Sequence, residues 1–213
     1  MKILAAFAAL VISTTATGAQ LLVFAKDRAG EPLANVVASL KPVDGKPTPQ
    51  PATNPSASVT QKGFQFDPHV TIVQRGTAVR FPNLDKKDHH VKVLSGPTFF
   101  EFKIYTAKEP APVVLDKLGK ISLYCLLHSN MSGHIYVVDT PWHGKSDTLG
   151  LLTINDVPEG EYELTLDHPL VLAPVQVQPA QTMRVRIKDG KVSESINAKF
   201  DLVVKTQNNK YTP

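Results

Sequence analysis

Apolar residues in this chain recur at every second position, and the three-to-four spacing of an amphipathic helix is almost absent. Val70-Ile72, Val79-Phe81, Val91-Val93, Ile121-Leu123-Cys125, Ile135-Val137, Tyr162-Leu164-Leu166 and Val185-Ile187 each put large side chains on one side of an extended backbone. Turn formers separate them: Asp44-Gly45, Arg75-Gly76, Asn155-Asp156, Pro158-Glu159-Gly160 and Asp189-Gly190. Short strands broken by frequent turns predict an all-β fold built of sandwiches or barrels.

The first residues follow a different rule. Lys2 gives a positive start, Ile3 to Ile12 form an apolar run, and Thr17-Gly18-Ala19 offers a small-residue cleavage site. The run is too short to cross a hydrocarbon layer of roughly 30 Å, so residues 1–19 read as a secretory signal peptide. The rival, a retained anchor, fits those flanks less well. No cysteine lies near the cleavage site to carry lipid, and no later segment is apolar enough to span a membrane. The expectation is an exported, periplasmic protein without a membrane anchor. The net charge is +4 over the whole chain, and loss of Lys2 with the leader makes it +3. Basic residues are scattered, with Lys86-Lys87 the one notable pair, which reads as a solvated loop. Nothing here suggests a nucleic-acid surface.

Composition divides the rest. Residues 20–43 hold a strand, a turn at Asp27 to Gly30 and a second apolar stretch. Residues 44–58 carry four prolines and read as a Pro-rich linker or extended loop. Residues 59–142 have the most regular strands, residues 143–205 form a third region, and 206–213 a C-terminal tail. Neither 20–43 nor 143–205 alone has strands enough to cover a core. Together they make one sandwich with 59–142 inserted between its halves; three pieces in tandem is the other arrangement.

One cysteine stands in the chain, in "CLLHSNM" at residues 125–131. In an oxidising compartment an unpaired thiol persists when it is buried and inert or when a metal occupies it. Cys125 ends a strand whose Ile121 and Leu123 share its face, so its sulfur projects inward at a sheet end. His128 and Met131 follow in the turn, before Ile135 and Val137 resume a strand. A thiolate, an imidazole and a weak thioether suit a blue-copper centre, which takes a second histidine to complete its plane. "KKDHHVKV" at residues 86–93 supplies that histidine from another strand. His89 and His90 point to opposite faces there, so one of them reaches the metal. Zinc can take such donors but prefers closed tetrahedral sites without a thioether. Of the remaining histidines, His134 alternates out of phase with Ile135 and Val137 and reads as a surface residue, while His69, His143 and His168 fall in turns.

Residues 64–138 resemble the cupredoxins. The pattern "F-x-P-x-x-x-x-V-x-x-G-x-x-V-x-F-x-N" is met by Phe66, Pro68, Val73, Gly76, Val79, Phe81 and Asn83, the "His-Asn-Val" of the family by His89, His90 and Val91, and the "Cys-x-x-His-x-x-Met" loop by Cys125, His128 and Met131. Two positions depart from the pattern: His90 stands where the family has asparagine, and Leu127 where proline often precedes the second histidine. The flanks resemble a carboxypeptidase-regulatory-like (transthyretin-like) sandwich. Asp27, Gly30, Pro32, Leu33 and Val36 match its first half, and Pro158, Gly160 and Tyr162 its second. The whole chain is also similar to bacterial exported proteins labelled methylamine utilisation proteins.

The resemblance implies a Greek-key cupredoxin sandwich plus a second, smaller one. It implies one copper per chain, cycling Cu(I)/Cu(II), held by His89, Cys125, His128 and Met131, with His90 as the alternative to His89. The implied activity is one-electron transfer with a transient protein redox partner, at an apolar patch to which Leu126 and Leu127 contribute. A catalytic copper oxidase or reductase would need a further open copper site, and the chain has no Cys-x-x-Cys-His for haem, so it reads as no enzyme. Two other classes stay open: a copper carrier or chaperone, and a non-redox interaction module of the cell envelope.

Overall fold

A computed structural model describes residues 18–43, 45, 48–49, 55–170, 181–188, 191–192 and 196–200. Most of the expected leader (residues 1–17), part of the Pro-rich linker, the Asp189-Gly190 turn, Asp44 and the 206–213 tail lie outside those residues. The chain begins with β1 (Ala19–Lys26) and β2 (Val37–Pro42), then β3 (Ser56–Ser58), β4 (Thr60–Gln61), β5 (Phe66–Asp67), β6 (Val70–Gln74) and β7 (Thr77–Arg80). It continues through β8 (His89–Ser95), β9 (Glu101–Tyr105), β10 (Val113–Leu115), β11 (Gly119–Cys125) and β12 (Ser132–Val138). The last strands are β13 (His143–Lys145), β14 (Leu151–Val157), β15 (Gly160–Asp167), β16 (Gln181–Lys188), β17 (Lys191–Val192) and β18 (Ile196–Lys199). Among the described residues there is no helix, and the fold class is all-β, as the alternation predicts.

Two cores organise these strands. The first lies between the sheets β14-β1-β18 and β13-β2-β15-β16-β17. It packs Leu21, Val23, Val36 and Leu40 from the start of the chain against Leu152, Ile154, Leu164 and Ile187 from its second half. The second lies between β10-β7-β3 and β6-β12-β11-β8-β9 and draws only on residues between Ala57 and Val137, including Phe66, Phe81, Ile121, Leu123 and Ile135. Each such buried side chain contributes about 1.5–3 kcal/mol over an exposed one. Along β1 the burial alternates strictly, with Leu21 and Val23 inward and Leu22 and Phe24 outward. Ser56–Ser58, within the stretch that reads as a linker, forms β3 and pairs in parallel with β7. Ala19, the last residue of the expected leader, opens β1 opposite Val157.

Three sequence expectations change. Asn155-Asp156 lies inside β14 and makes a bulge, not a turn. Between Ala19↔Val157 and Leu21↔Ile154 the β14 side carries one residue more, and Asp156 absorbs it at φ 55°. His143 starts β13 and pairs with Ser39. His134 is buried, at 7% exposure, although it points away from the core that Ile135 and Val137 enter. The reason is that β12 is an inner strand with both faces covered. Tyr136, on the same outer face, packs with Val37 and Val70 between the sandwiches, where Lys145 Nζ also donates to the Val70 carbonyl at 2.8 Å. Alternation alone locates a strand's two faces without saying what covers the second.

Candidate metal centre

The centre grows out of the hairpin joining β11 and β12. Tyr124 pairs with Ser132 across the ladder, and the six residues between strand and strand fold back in two consecutive turns. The Met131 N–H donates to the His128 carbonyl at 3.0 Å, and the Cys125 N–H donates to the Met131 carbonyl at 3.0 Å. This closure aims the side chains of Cys125 and His128 at one point and seats Met131 in the same core as Cys125. β8 runs beside β11 with Val91 opposite Cys125, which brings His89, two residues earlier and on the same face, to the thiol.

His89 and Cys125 are 0% and 1% exposed, and His128 is half-buried. Cys125 Sγ lies 3.3 Å from His128 Nδ1 and 3.6 Å from His89 Nδ1. The three candidate donor atoms lie within 4.8 Å of one another. If nitrogen and sulfur sat at roughly 2.0 and 2.3 Å from one ion, the two sulfur–nitrogen separations would subtend about 100–115° at it. A thiolate beside two imidazoles is, by its chemistry, a donor set that suits a single transition-metal ion.

The second nitrogen of His89 decides its tautomer. Nε2–H donates to Asp85 Oδ2 at 3.0 Å, which leaves the Nδ1 lone pair facing the thiol. Asp85 is itself held: it accepts from the Gly63 N–H at 2.7 Å and the Phe64 N–H at 3.0 Å, while its own N–H donates to Asn83 Oδ1. Burial would raise its carboxyl pKa, but the two backbone donors and the His89 imidazole outweigh burial and hold it below the usual carboxylate range. Partial burial and the neighbouring His89 keep the His128 imidazole below its ordinary value, against a smaller pull from Asp85.

Phe64 completes the wall. Its backbone is left-handed at φ 58°, directly after Gly63 at φ 63°, a conformation unusual for a bulky side chain. The ring meets His128 edge-on at 4.8 Å between centroids and His89 at 6.1 Å. Residues held in such backbone conformations concentrate at functional sites.

The structure thus gathers His89, Cys125 and His128, with Met131 buried alongside. It sends His90 elsewhere: its Nε2 meets Glu101 Oε1 at 2.7 Å on the other side of β8. Asn83, a motif position in the sequence, organises the loop by donating to the Lys87 and Tyr105 carbonyls. Asp85 and Phe64 carry no sequence signal beyond their neighbours: a carboxylate in a lysine-rich loop reads as solvated, and only Gly63 hints at the tight turn.

No family model matches the chain, and no curated protein matches it. Parts of it are similar to solved structures. The Cu(I) form of a point mutant of amicyanin shares 16% identity over 39% of this chain and 82% of its own, with a TM-score of 0.35. A purple cupredoxin from Nitrosopumilus maritimus shares 16% identity over 40% of this chain and all of its own, at a TM-score of 0.35. A copper-containing nitrite reductase from Thermus scotoductus SA-01 shares 26% identity over 46% of this chain, at 0.37, and the match spans a quarter of that longer protein.

Proposed function

We propose that this chain is an exported type 1 copper protein that passes single electrons between redox partners, and that His89, Cys125, His128 and Met131 would hold its one ion. The observation that carries the reading is the approach of two imidazole nitrogens to one buried thiol, at 3.3 and 3.6 Å. One thiolate, two imidazoles and a thioether form the donor set of blue-copper electron-transfer sites, whereas zinc favours a closed tetrahedron without the thioether. Bound copper supplies one reversible electron.

The chain's own residues do the rest. Asp85 orients His89, and the hairpin closure holds Cys125 and Met131 in a dry core, so the donors need little rearrangement between oxidation states. His128, half-buried, is the ligand through which electrons reach the surface. The architecture of this reading is a cupredoxin sandwich inserted between the halves of a carboxypeptidase-regulatory-like sandwich. The leader directs export to the periplasm, and the chain acts as a carrier with a transient protein partner, not as an enzyme. Metal delivery would call for labile, open ligands, and the burial of Cys125 and His89 favours electron transfer.

The test is a visible and EPR spectrum of the Cu(II)-loaded protein beside that of Cys125→Ser. An intense thiolate-to-copper band and a narrow copper hyperfine splitting, both lost in the variant, are expected. Copper binding that is unchanged without the thiol would overturn the reading.

A further inference from the structure

The sheet of β8, β11 and β12 has two faces, and the metal centre uses one of them. On the other, the ladders set Ser122 opposite His134 and place Tyr124 between Lys92 and Ser132. Pro169 and Leu170, which follow β15 in the other sandwich, join these residues in enclosing a cavity of about 600 Å³. That volume lies within the roughly 300–1,000 Å³ of small-molecule sites. Its walls are largely hydrocarbon: Leu94, Leu126 and Leu170 all line it and are 66%, 55% and 50% exposed.

Two buried polar side chains interrupt that apolar lining. Ser122 and His134 are 4% and 7% exposed, both line the cavity, and Ser122 Oγ lies 3.3 Å from His134 Nδ1. Among the described residues His134 Nε2 has no hydrogen-bond partner. The pair can be arranged in two ways. With Ser122 donating to Nδ1, the Nε2–H remains as a donor and the Ser122 oxygen as an acceptor. With Nδ1–H donating to Ser122, the hydroxyl remains as the donor and Nε2 as the acceptor. Either arrangement leaves one donor and one acceptor, and buried groups of this kind cost stability until they are met. An ion finds less here. Among the described residues the one charged side chain on the walls is Lys92, whose Nζ already has Glu101 Oε2 at 3.7 Å, and burial keeps His134 neutral.

We propose that this cavity is a binding site for a neutral, mostly apolar alcohol or phenol. The hydroxyl donates and accepts through a single oxygen, which suits either arrangement of the Ser122–His134 pair, and the hydrocarbon body lies against Leu94, Leu126 and Leu170. Tyr124 lines this site from β11, while Cys125, next along the strand, enters the opposite core. Binding therefore needs no copper.

The full mature chain, kept reduced, is titrated with 2-naphthol and followed by amide NMR, with naphthalene and 2-naphthoate in parallel. 2-Naphthol should shift residues 92–94, 122–126, 132–134 and 169–170 with one saturable affinity. The anion 2-naphthoate should bind about tenfold more weakly or worse, since its charge would be buried without a partner. Ser122→Ala should weaken 2-naphthol about three- to tenfold, the worth of one hydrogen bond, and leave naphthalene unchanged. Leu94→Glu, at an exposed position, should weaken both. Shifts centred elsewhere, as on the exposed Leu22 and Phe24 of β1, would overturn the site. So would 2-naphthoate binding as tightly as 2-naphthol, equal 2-naphthol affinity in Ser122→Ala, or a chain that takes up none of the three because its own residues 171–180 occupy the space. If Ser122→Ala loses naphthalene as well, the ratio of 2-naphthol to 2-naphthoate affinity in the parent decides.

Discussion

Two groups of histidines sit in this molecule, and they differ in how their nitrogens are used. At the junction of the sandwiches, His168 donates Nε2–H to the Ala34 carbonyl and accepts the Leu170 N–H on Nδ1, so both nitrogens are committed to backbone. His69 donates Nδ1–H to the Ser132 carbonyl, and His134 Nδ1 meets the Ser122 hydroxyl. At the other end, His89 gives one nitrogen to Asp85 and turns the other, like that of His128, to the Cys125 sulfur. Burial is similar for His89 and His168; what separates a candidate ligand from a structural histidine is whether a lone pair remains aimed at a second donor.

The sharpest way to break that comparison is to exchange fates. Cys125→Ser and His89→Ala should each abolish the copper–thiolate absorption in the Cu(II)-loaded protein. His168→Asn should leave the spectrum intact and lower stability by about 1–3 kcal/mol, the cost of leaving buried backbone groups unpaired. Loss of colour in the His168 variant would mean that the two groups are not independent.

A pH titration of stability separates them next. Burial, together with the positive charges of His69, Lys120 and His168, pushes the His134 pKa down to about 3. The sign follows directly. Above about 6.5, the ordinary value, the imidazole is neutral folded and unfolded and costs nothing; as pH falls toward 3 only the unfolded chain takes the proton, so stability is lost. At pH 5 the deficit is about 2 kcal/mol from this group, at about 1.36 kcal/mol per pH unit. Urea midpoints at pH 7 and pH 5 should therefore fall farther in the parent than in His134→Gln. Equal falls would place the proton elsewhere.

That buried histidine also marks where reading the chain ends. Period-two alternation makes the strands legible, and the spacing of Cys125, His128 and Met131 makes one hairpin loop legible, because both are local properties. The neighbours of His134 include His69, Val70 opposite it on β6, and Pro169 and Leu170 across a shared cavity, all far away along the chain, so its outer face looks solvated until the strands assemble. Asn155-Asp156 misleads for a related reason: the same polar pair suits a turn or a bulge, and pairing with β1 decides. Asp85 belongs with these, since its partners Gly63 and Phe64 lie on another loop.

Asp85 offers a finer test of the metal group. Asp85→Asn keeps the shape and removes the charge that holds the His89 tautomer. By the usual cost of losing a partner of a ligand, metal affinity should fall about 10- to 100-fold with the donor set intact. Competition with a chromophoric chelator measures it. An unchanged affinity would mean that packing against Phe64 orients His89 without help from the carboxylate.

The smallest effect expected is at His90, adjacent to His89 in sequence and opposite to it in orientation. Its ring leans on Glu101, whose carboxyl the His90 hydrogen bond holds below the usual range, with Lys92 Nζ 3.7 Å from the same carboxylate. That cluster is solvent-facing, and such pairs contribute little. His90→Ala should keep the copper–thiolate band and leave the urea midpoint within error. Any shift of the band should be modest, since the His90 carbonyl accepts the Leu126 N–H at 2.9 Å and so ties β8 to the Cys125–Met131 loop through backbone that alanine preserves. A colourless His90→Ala beside a coloured His89→Ala would reverse the two roles, and with them the rule that strand geometry chooses between adjacent histidines.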